Sequence, residues 1–283
     1  MRTLRALARD WLPPAAARWI RRARATGDEG DGGIRFEGDF ATWEEASAQC
    51  TGYAAAEILA RVLKATLKVK SGDAMFERDS VTFDKIEYAW PALSGLLLTA
   101  AQDGGRLNVL DFGGALGSHY FQNRKFLTAL RDVRWNVVEQ PHYAEAGRER
   151  LQDEHLRFYA AVDACLAENR PNAILLSGVL QYLPAPYDVL EALLAVGANT
   201  VIIDRTGYVR NRANARIAIQ YVPEAIYPAT LPCRFFVERE LSRFVAARGY
   251  RTLEVFDSID HEGERGEVSW NGHIFVIADG SFT

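Results

Sequence analysis

At 283 residues, with 48% apolar and 25% charged side chains, the chain can bury a full core as one large domain or one domain with an appendage. No apolar run approaches the roughly 20 residues needed to span a bilayer, so a soluble globular protein is expected. The net charge of −4 conceals seven arginines against the single Asp10 in residues 1–25; the −10 carried by the rest argues against a broad phosphate-tracking surface, and hence against a nucleic-acid substrate.

The first 25 residues form an arginine-rich arm. Leu4, Ala8, Trp11, Leu12, Ala15, Trp19 and Ile20 fall on one helical stripe with most arginines off it, and Pro13-Pro14 must kink or restart the helix. Such a helix can lie in a membrane interface; a solvated arm, or a helix docked on its own protein or a partner, is the alternative. Arg9 and Asp10 interrupt any signal-peptide core. Residues 26–33 (TGDEGDGG) read as a flexible linker, so 1–33 is one unit of arm and linker.

Residues 34–105 read as a helical cap. Thr42-Trp-Glu-Glu45 has the form of a capping box. A long helix is predicted over 54–70, with Ile58, Leu59, Val62, Leu63, Leu67 and Val69 on its apolar face. Ser71-Gly-Asp73 breaks it, residues 74–85 are mixed, and 87–101 is a further helix with Pro91 in its first turn. Phe40, Trp43, Tyr53, Phe76, Phe83, Tyr88 and Trp90 suit either an acceptor pocket or ordinary core packing.

The stretch 107–140 carries the strongest signal. Leu107, Val109 and Leu110 make a short buried strand ending in Asp111; Gly113, Gly114, Ala115 and Gly117 follow, then a helical spacing over 118–130. A second strand, 133–138, closes on Glu139, 22 residues past Gly117. Small residues at the turn let a ligand lie against the backbone, and the free N–H groups of the helix start suit an anion. A carboxylate at the tip of the second strand can take both hydroxyls of a ribose. A dinucleotide fingerprint would need glycines where Gly113, Ala115 and Ser118 stand, and no Gly-Lys-Ser/Thr of a P-loop follows.

Strand and helix then alternate as in a doubly wound sheet: strands at 156–159, 173–177 and 200–203, and helices at 187–196 and 237–248. Residues 207–234 form a long excursion, expected to be functional. Strands 253–256 and 274–278 complete a count of seven, the last two as a hairpin. Cys50, Cys165 and Cys233 offer neither a disulfide framework nor a zinc knuckle, so a cytoplasmic protein is expected. The five histidines lack ligand spacing, and no metal is expected.

Asp111-Phe-Gly-Gly-Ala-Leu-Gly117 resembles motif I of the class I S-adenosylmethionine-dependent methyltransferases, with Glu139 as the ribose-binding acid. Ser177-Gly-Val-Leu-Gln-Tyr-Leu183 is similar to the strand-four motif of their small-molecule members. A narrower resemblance runs through Phe36 to Ala46, Thr51-Gly-Tyr53, Phe76-Glu-Arg-Asp-Ser80, Asn108 to Gly114, Tyr120 to Arg124, Trp135 to Gln140 and Ile202 to Thr206. It is to a bacterial methyltransferase family associated with surface-polysaccharide biosynthesis. These resemblances imply an α/β fold: a Rossmann-like seven-stranded class I methyltransferase sheet over 106–283 with an N-terminal helical cap. They imply S-adenosylmethionine as cofactor, S-adenosylhomocysteine as product, and a small-molecule or saccharide acceptor. The implied cofactor residues are Asp111, Gly113, Gly114, Ala115, Gly117, Glu139, Gln140, Asp163 and Ser177. Asp163 is the candidate for the adenine amine, although helix capping explains it equally well.

No Asn/Asp-Pro-Pro-aromatic motif follows the fourth strand, which disfavours an exocyclic base nitrogen and leaves O-methylation by elimination. Asp204 is the candidate base, with Arg205 to hold the acceptor; Tyr182 and His142 are the other candidates, and a structural Asp204–Arg205 pair is the alternative. His119, at the opening of the motif I helix, would face cofactor or solvent. Two rival functions remain: a catalytically silent cofactor-binding scaffold of a polysaccharide pathway, and an oxidoreductase using a dinucleotide. The arm offers the only expected membrane contact, at the inner face.

Overall fold

The computed structural model describes residues 34–51, 55–78, 80–223, 229–259 and 267–278. The arm and linker of residues 1–33, with the proposed membrane contact, lie outside them, as do Tyr53 and His261. The chain begins with β1 (Arg35–Glu37), α1 (Trp43–Ser47) and α2 (Ala55–Ser71), then β2 (Phe76–Arg78), β3 (Val81–Phe83) and α3 (Trp90–Gln102). The alternating part follows: β4 (Arg106–Phe112), α4 (Ser118–Leu127), β5 (Asp132–Val138), α5 (Pro141–Arg150), β6 (Leu156–Tyr159) and α6 (Val162–Glu168). After β7 (Ala173–Ser177) come a 3-10 turn (Leu180–Tyr182), α7 (Pro186–Leu194) and β8 (Thr200–Val209). The chain closes with β9 (Arg216–Val222), β10 (Ala229–Phe235), α8 (Glu238–Ala246), β11 (Tyr250–Asp257) and β12 (Val268–Ile277).

Seven strands form one sheet in the order β11-β12-β8-β7-β4-β5-β6. The five strands β4 to β8 run parallel, and β12 lies antiparallel between β8 and β11. This order, with its antiparallel edge hairpin, is the Rossmann-like class I methyltransferase sheet. The chain enters at β4, moves outward to β6 and returns to β7, so the strand order reverses between β4 and β7. A crevice at the carboxyl ends is dictated there, because the connections leave β4 and β7 in opposite directions.

Each face has its own apolar layer. Leu107, Val109, Trp135 and Val137 pack with α2, α3, α4 and α5 on one side; Leu110, Ile174, Leu176 and Ile203 pack with α6, α7 and α8 on the other. The buried residues alternate along the strands because each parallel strand is covered on both faces. Helix α3 belongs to the sheet's own layer. Its Gly95 lies so close to Ile202 and Ile274 that an added Cβ would stand 3.0 and 3.2 Å from their Cδ1 atoms, and Thr99 Oγ1 donates to Thr200 Oγ1 at 2.7 Å.

The capping box forms as the sequence predicts: Thr42 Oγ1 accepts from the Glu45 N–H, and the Glu45 side chain returns to the Thr42 N–H. Three strands also lie among these helices. Residues 74–85 fold largely as the β2–β3 hairpin, packed on α2 and α4. The excursion 207–234 is largely strand and not an irregular connection: β8 runs on to Val209, and β9 and β10 pair antiparallel with β1 on the far edge of β9. Ile217 and Ile219 alternate with Ala218 and Gln220 as a pleat requires, and Pro232 is tolerated because β10 is an edge strand. This small sheet sits over the ends of β7 and β8 through a cluster of Phe36, Tyr182, Val209, Phe235, Val268 and Trp270.

Strand β8 carries a bulge at its crevice end. Thr206 pairs with Asn271 and Ile203 with His273, so Asp204 and Arg205 together face Gly272. Arg205 takes φ 55°, uncommon for a residue with a Cβ. Gly272 is required because the Phe256 ring fills the position of any side chain there. Gly272→Ala is expected to cost about 1–3 kcal/mol in chemical denaturation, most of it recovered in a Phe256→Ala background. A neutral Gly272→Ala would show that the ring moves aside freely.

Candidate active site

The turn after β4 is shaped by a carboxylate beneath it. Gly113, Ala115 and Gly117 have φ of 76°, 50° and 86°, and Gly114 has no room for a Cβ because the Asp111 carboxylate lies against its Cα. Asp111 Oδ2 accepts from Trp135 Nε1 at 2.8 Å, tying the turn to β5, while Oδ1 is buried without a hydrogen-bond partner. Burial pushes the Asp111 carboxyl up to about 7, with the indole bond acting in the opposite direction.

Glu139, immediately after β5, is 0% exposed. Its Oε2 accepts from the Gln140 N–H at 2.7 Å, and the Ala115 N–H of the turn also bonds to this carboxylate. Oε1 is buried with no partner. Burial raises the carboxyl to about 8 against those two bonds, and the neighbouring Asp111 charge adds to the rise. Ser177, the last residue of β7, buries an unpartnered Oγ, and His142 in the first turn of α5 buries an unpartnered Nε2. Burial also pulls the His142 pKa below its ordinary value, which favours a neutral ring. Buried polar atoms without partners are rare in folded proteins. The four atoms of Asp111, Glu139, Ser177 and His142 lie at or just past the carboxyl ends of β4, β5 and β7, beside a backbone turn free of large side chains. Such a cradle suits a nucleoside whose ribose hydroxyls donate to Glu139.

The structure brings Asp204 alongside: it pairs with Ser177 across β7 and β8, and its carbonyl accepts from the Gly178 N–H at 2.9 Å. Asp204 Oδ1 accepts from the Arg205 N–H and from Ser258 Oγ, both at 2.7 Å. Gln181 Nε2 donates to the Arg205 carbonyl at 3.0 Å, so the bulge is held from three directions. Ser258 lies 54 residues further along and carries no local sequence signal. Trp135 reads from sequence as core, and only its indole N–H shows a second role.

Other candidates fall elsewhere. Tyr182 is buried in the apolar cluster beneath the small sheet. Asp163 is not the cap of α6: Ala161 holds that position with no side-chain cap bond, and Asp163 is an exposed second residue, where a carboxylate suits the helix dipole. Gln140 is the N-cap of α5, where its side chain makes no capping bond. His119 Nδ1 lies 3.3 Å from Gln122 Oε1. Of the aromatics, Phe76 stacks on Phe83, Trp43 lies beneath Arg234, Phe40 packs beside Ile217 and Ile219, and Tyr88, Trp90 and Phe126 pack on one another.

No protein-family profile and no curated protein sequence matches the chain. Among solved structures it is similar to the Burkholderia thailandensis 1,6-didemethyltoxoflavin-N1-methyltransferase with bound 1,6-didemethyltoxoflavin and S-adenosylhomocysteine. That match has 14% identity and a TM-score of 0.43, and covers 95% of this chain and all of that one. It is similar to the amino pentose methyltransferase CalS10 of Micromonospora echinaspora at 13% identity over 67% of this chain and 92% of that one, TM-score 0.42. The N-terminal domain of EvdMO1, crystallised with S-adenosylhomocysteine and D-fucose, matches at 15% over 80% and 97%, TM-score 0.45. With TM-scores below 0.5 these likenesses carry no argument. Among the described residues, no helix is long and apolar enough to cross a membrane.

The two raised carboxyls set a pH dependence. A carboxyl with a raised folded pKa keeps its proton longer when folded, so stability is lost as pH rises from the unfolded value, about 4, through the folded one. Urea denaturation of the protein alone should therefore show stability falling between about pH 4 and pH 8. Glu139→Gln should flatten the upper part of that slope; an unchanged slope would place Glu139 in a more polar setting than its burial implies.

Proposed function

We propose that the chain is an S-adenosylmethionine-dependent methyltransferase acting on a hydroxyl of a small-molecule or saccharide acceptor. The observation that carries the reading is Glu139: a fully buried carboxylate with one oxygen unpartnered, beside a glycine turn, in a class I sheet. That oxygen and its mate would accept the two ribose hydroxyls, while Gly113, Gly114, Ala115 and Gly117 present backbone to the nucleoside. Ser177 and Gln140 would border it, and Asp163 would stand on the adenine side. The bound cofactor supplies a methyl group on a sulfonium, whose departure leaves a neutral thioether. What remains for the protein is to align the acceptor and remove its proton. Asp204 is the proposed base, oriented by Ser258, and Arg205 the proposed holder of an oxygen-rich acceptor. The acceptor class rests on the resemblance of Ser177–Leu183 to the strand-four motif of small-molecule methyltransferases. A glycan precursor is the finer form of that reading.

S-adenosylhomocysteine should raise the melting temperature by binding the folded state alone, and NAD should not. Gly113→Val should abolish the shift, since φ 76° and a close ligand both exclude a branched side chain. Glu139→Ala should weaken binding by about 1–3 kcal/mol in titration calorimetry. If Glu139→Ala binds as tightly as wild type, the ribose lies elsewhere.

A screen of nucleotide sugars and lipid-linked glycans supplies the acceptor for the catalytic test. Asp204→Asn should then leave S-adenosylhomocysteine affinity nearly unchanged while slowing transfer by ~10²-fold. Loss of both would make Asp204 structural, and a scaffold without turnover would show binding and no transfer with any acceptor.

A further inference from the structure

The far end of α4 carries an aromatic and basic patch that the crevice does not use. Trp90, the first residue of α3, is 57% exposed, and its ring packs on Tyr88 and Phe126 with centroids 4.7 and 5.5 Å away. Lys125 Nζ lies over the Tyr88 and Phe126 rings at 4.7 and 4.8 Å. The same lysine lines a cavity of about 370 Å³. Leu127, Leu130 and Val133 give that cavity its apolar part, and the exposed Arg124, Lys125 and Arg131 give it charge. Among the described residues no carboxylate lines it, and none of these three cations forms an ion pair. Two nearby acids are engaged by other basic side chains, Asp103 by Arg106 at 2.6 Å and Glu154 by His155 at 3.6 Å.

We propose that this patch docks on an anionic membrane surface, with Trp90 in the interface and the three cations on lipid phosphates. A tryptophan packed on one side and wet on the other suits the headgroup level, where one end of the indole is apolar and the other hydrated. Each Lys or Arg near an anionic leaflet adds attraction, and the cavity sets hydrocarbon beside charge as a phospholipid does. The helix dipole accounts for Arg124 and Lys125, which stand in the last turn of α4. It accounts neither for Arg131, beyond the helix, nor for the exposed indole. Other occupants bring the wrong charge or the wrong surface. Residues 1–25 carry seven arginines, and a two-fold contact with a second copy would set Lys125 and Arg131 against the same cations. An acidic protein segment would answer the cations but offers no continuous hydrocarbon for the indole and the cavity. Helix α4 starts beside the glycine turn and is about 15 Å long, so the membrane would lie at the end remote from that turn.

The test is sedimentation of the full-length chain with vesicles of phosphatidylcholine alone, or of phosphatidylcholine with phosphatidylglycerol, at low and high salt. The double variant Arg124→Glu/Arg131→Glu reverses two exposed charges, and Trp90→Ser removes the indole. Thermal melting of each variant reports folding separately. Wild type should partition onto the phosphatidylglycerol vesicles, and less so at high salt. The double variant should lower the partition coefficient by at least about tenfold. Trp90→Ser should lower it by at least about threefold. Retention unchanged in either variant overturns the proposal, since the binding then belongs to another surface such as the arm. Equal retention on the two lipids overturns it by removing the role of charge. Wild type left in the supernatant with both vesicles overturns it too, and binding of polyglutamate would then mark an acidic protein as the partner.

Discussion

The bond from the Trp135 indole to the Asp111 carboxylate is the contact on which the ligand side of this protein depends. It joins the neighbouring strands β4 and β5 and holds a carboxylate directly under the turn. That carboxylate excludes any side chain at position 114 and leaves backbone as the surface a ligand meets. Removing either partner would strand a buried polar group and also free the loop. The cost would exceed that of one hydrogen bond, because turn shape and strand register change together.

The opposite side of the crevice is built by different means. There a bulge in β8 places Asp204 and Arg205 together, both buried, and residues distant in sequence hold it: Ser258, Gln181 and the space left by Gly272. Positive φ at Arg205 persists because these contacts over-determine it, a pattern that clusters where side chains must be aimed. One side of the site is thus local in sequence, 111–140, and the other is assembled from segments more than fifty residues apart.

That contrast explains what the sequence made legible. The parallel strands carry apolar runs bounded by turn residues, and the glycine turn with its following acid states its geometry within one βαβ unit. The capping box at Thr42 was equally plain, since both its bonds are local. Strand β9 was hidden because one of its two partners, β1, lies near residue 36, and periodicity alone cannot distinguish a strand from an extended connection. Asp163 was ambiguous because a carboxylate in a first helical turn and a carboxylate at a cap look alike in one sequence. Ser258 and the indole role of Trp135 arise only when strands are laid side by side.

The pairing of β1 with β9 joins residues 35–37 to residues 219–221. Phe36 finds its aromatic neighbours, Phe235 and Trp270, later still. A ribosome extending the chain at about 5–20 residues per second therefore needs on the order of ten seconds or more between emergence of this strand and synthesis of its partner. Through that interval the strand carrying Phe36 waits unpaired while β4 to β8 are made. Long-range closure of this kind slows folding and exposes the nascent chain to misassociation. A chain stopped short of residue 219 would lack the partner for its first strand altogether.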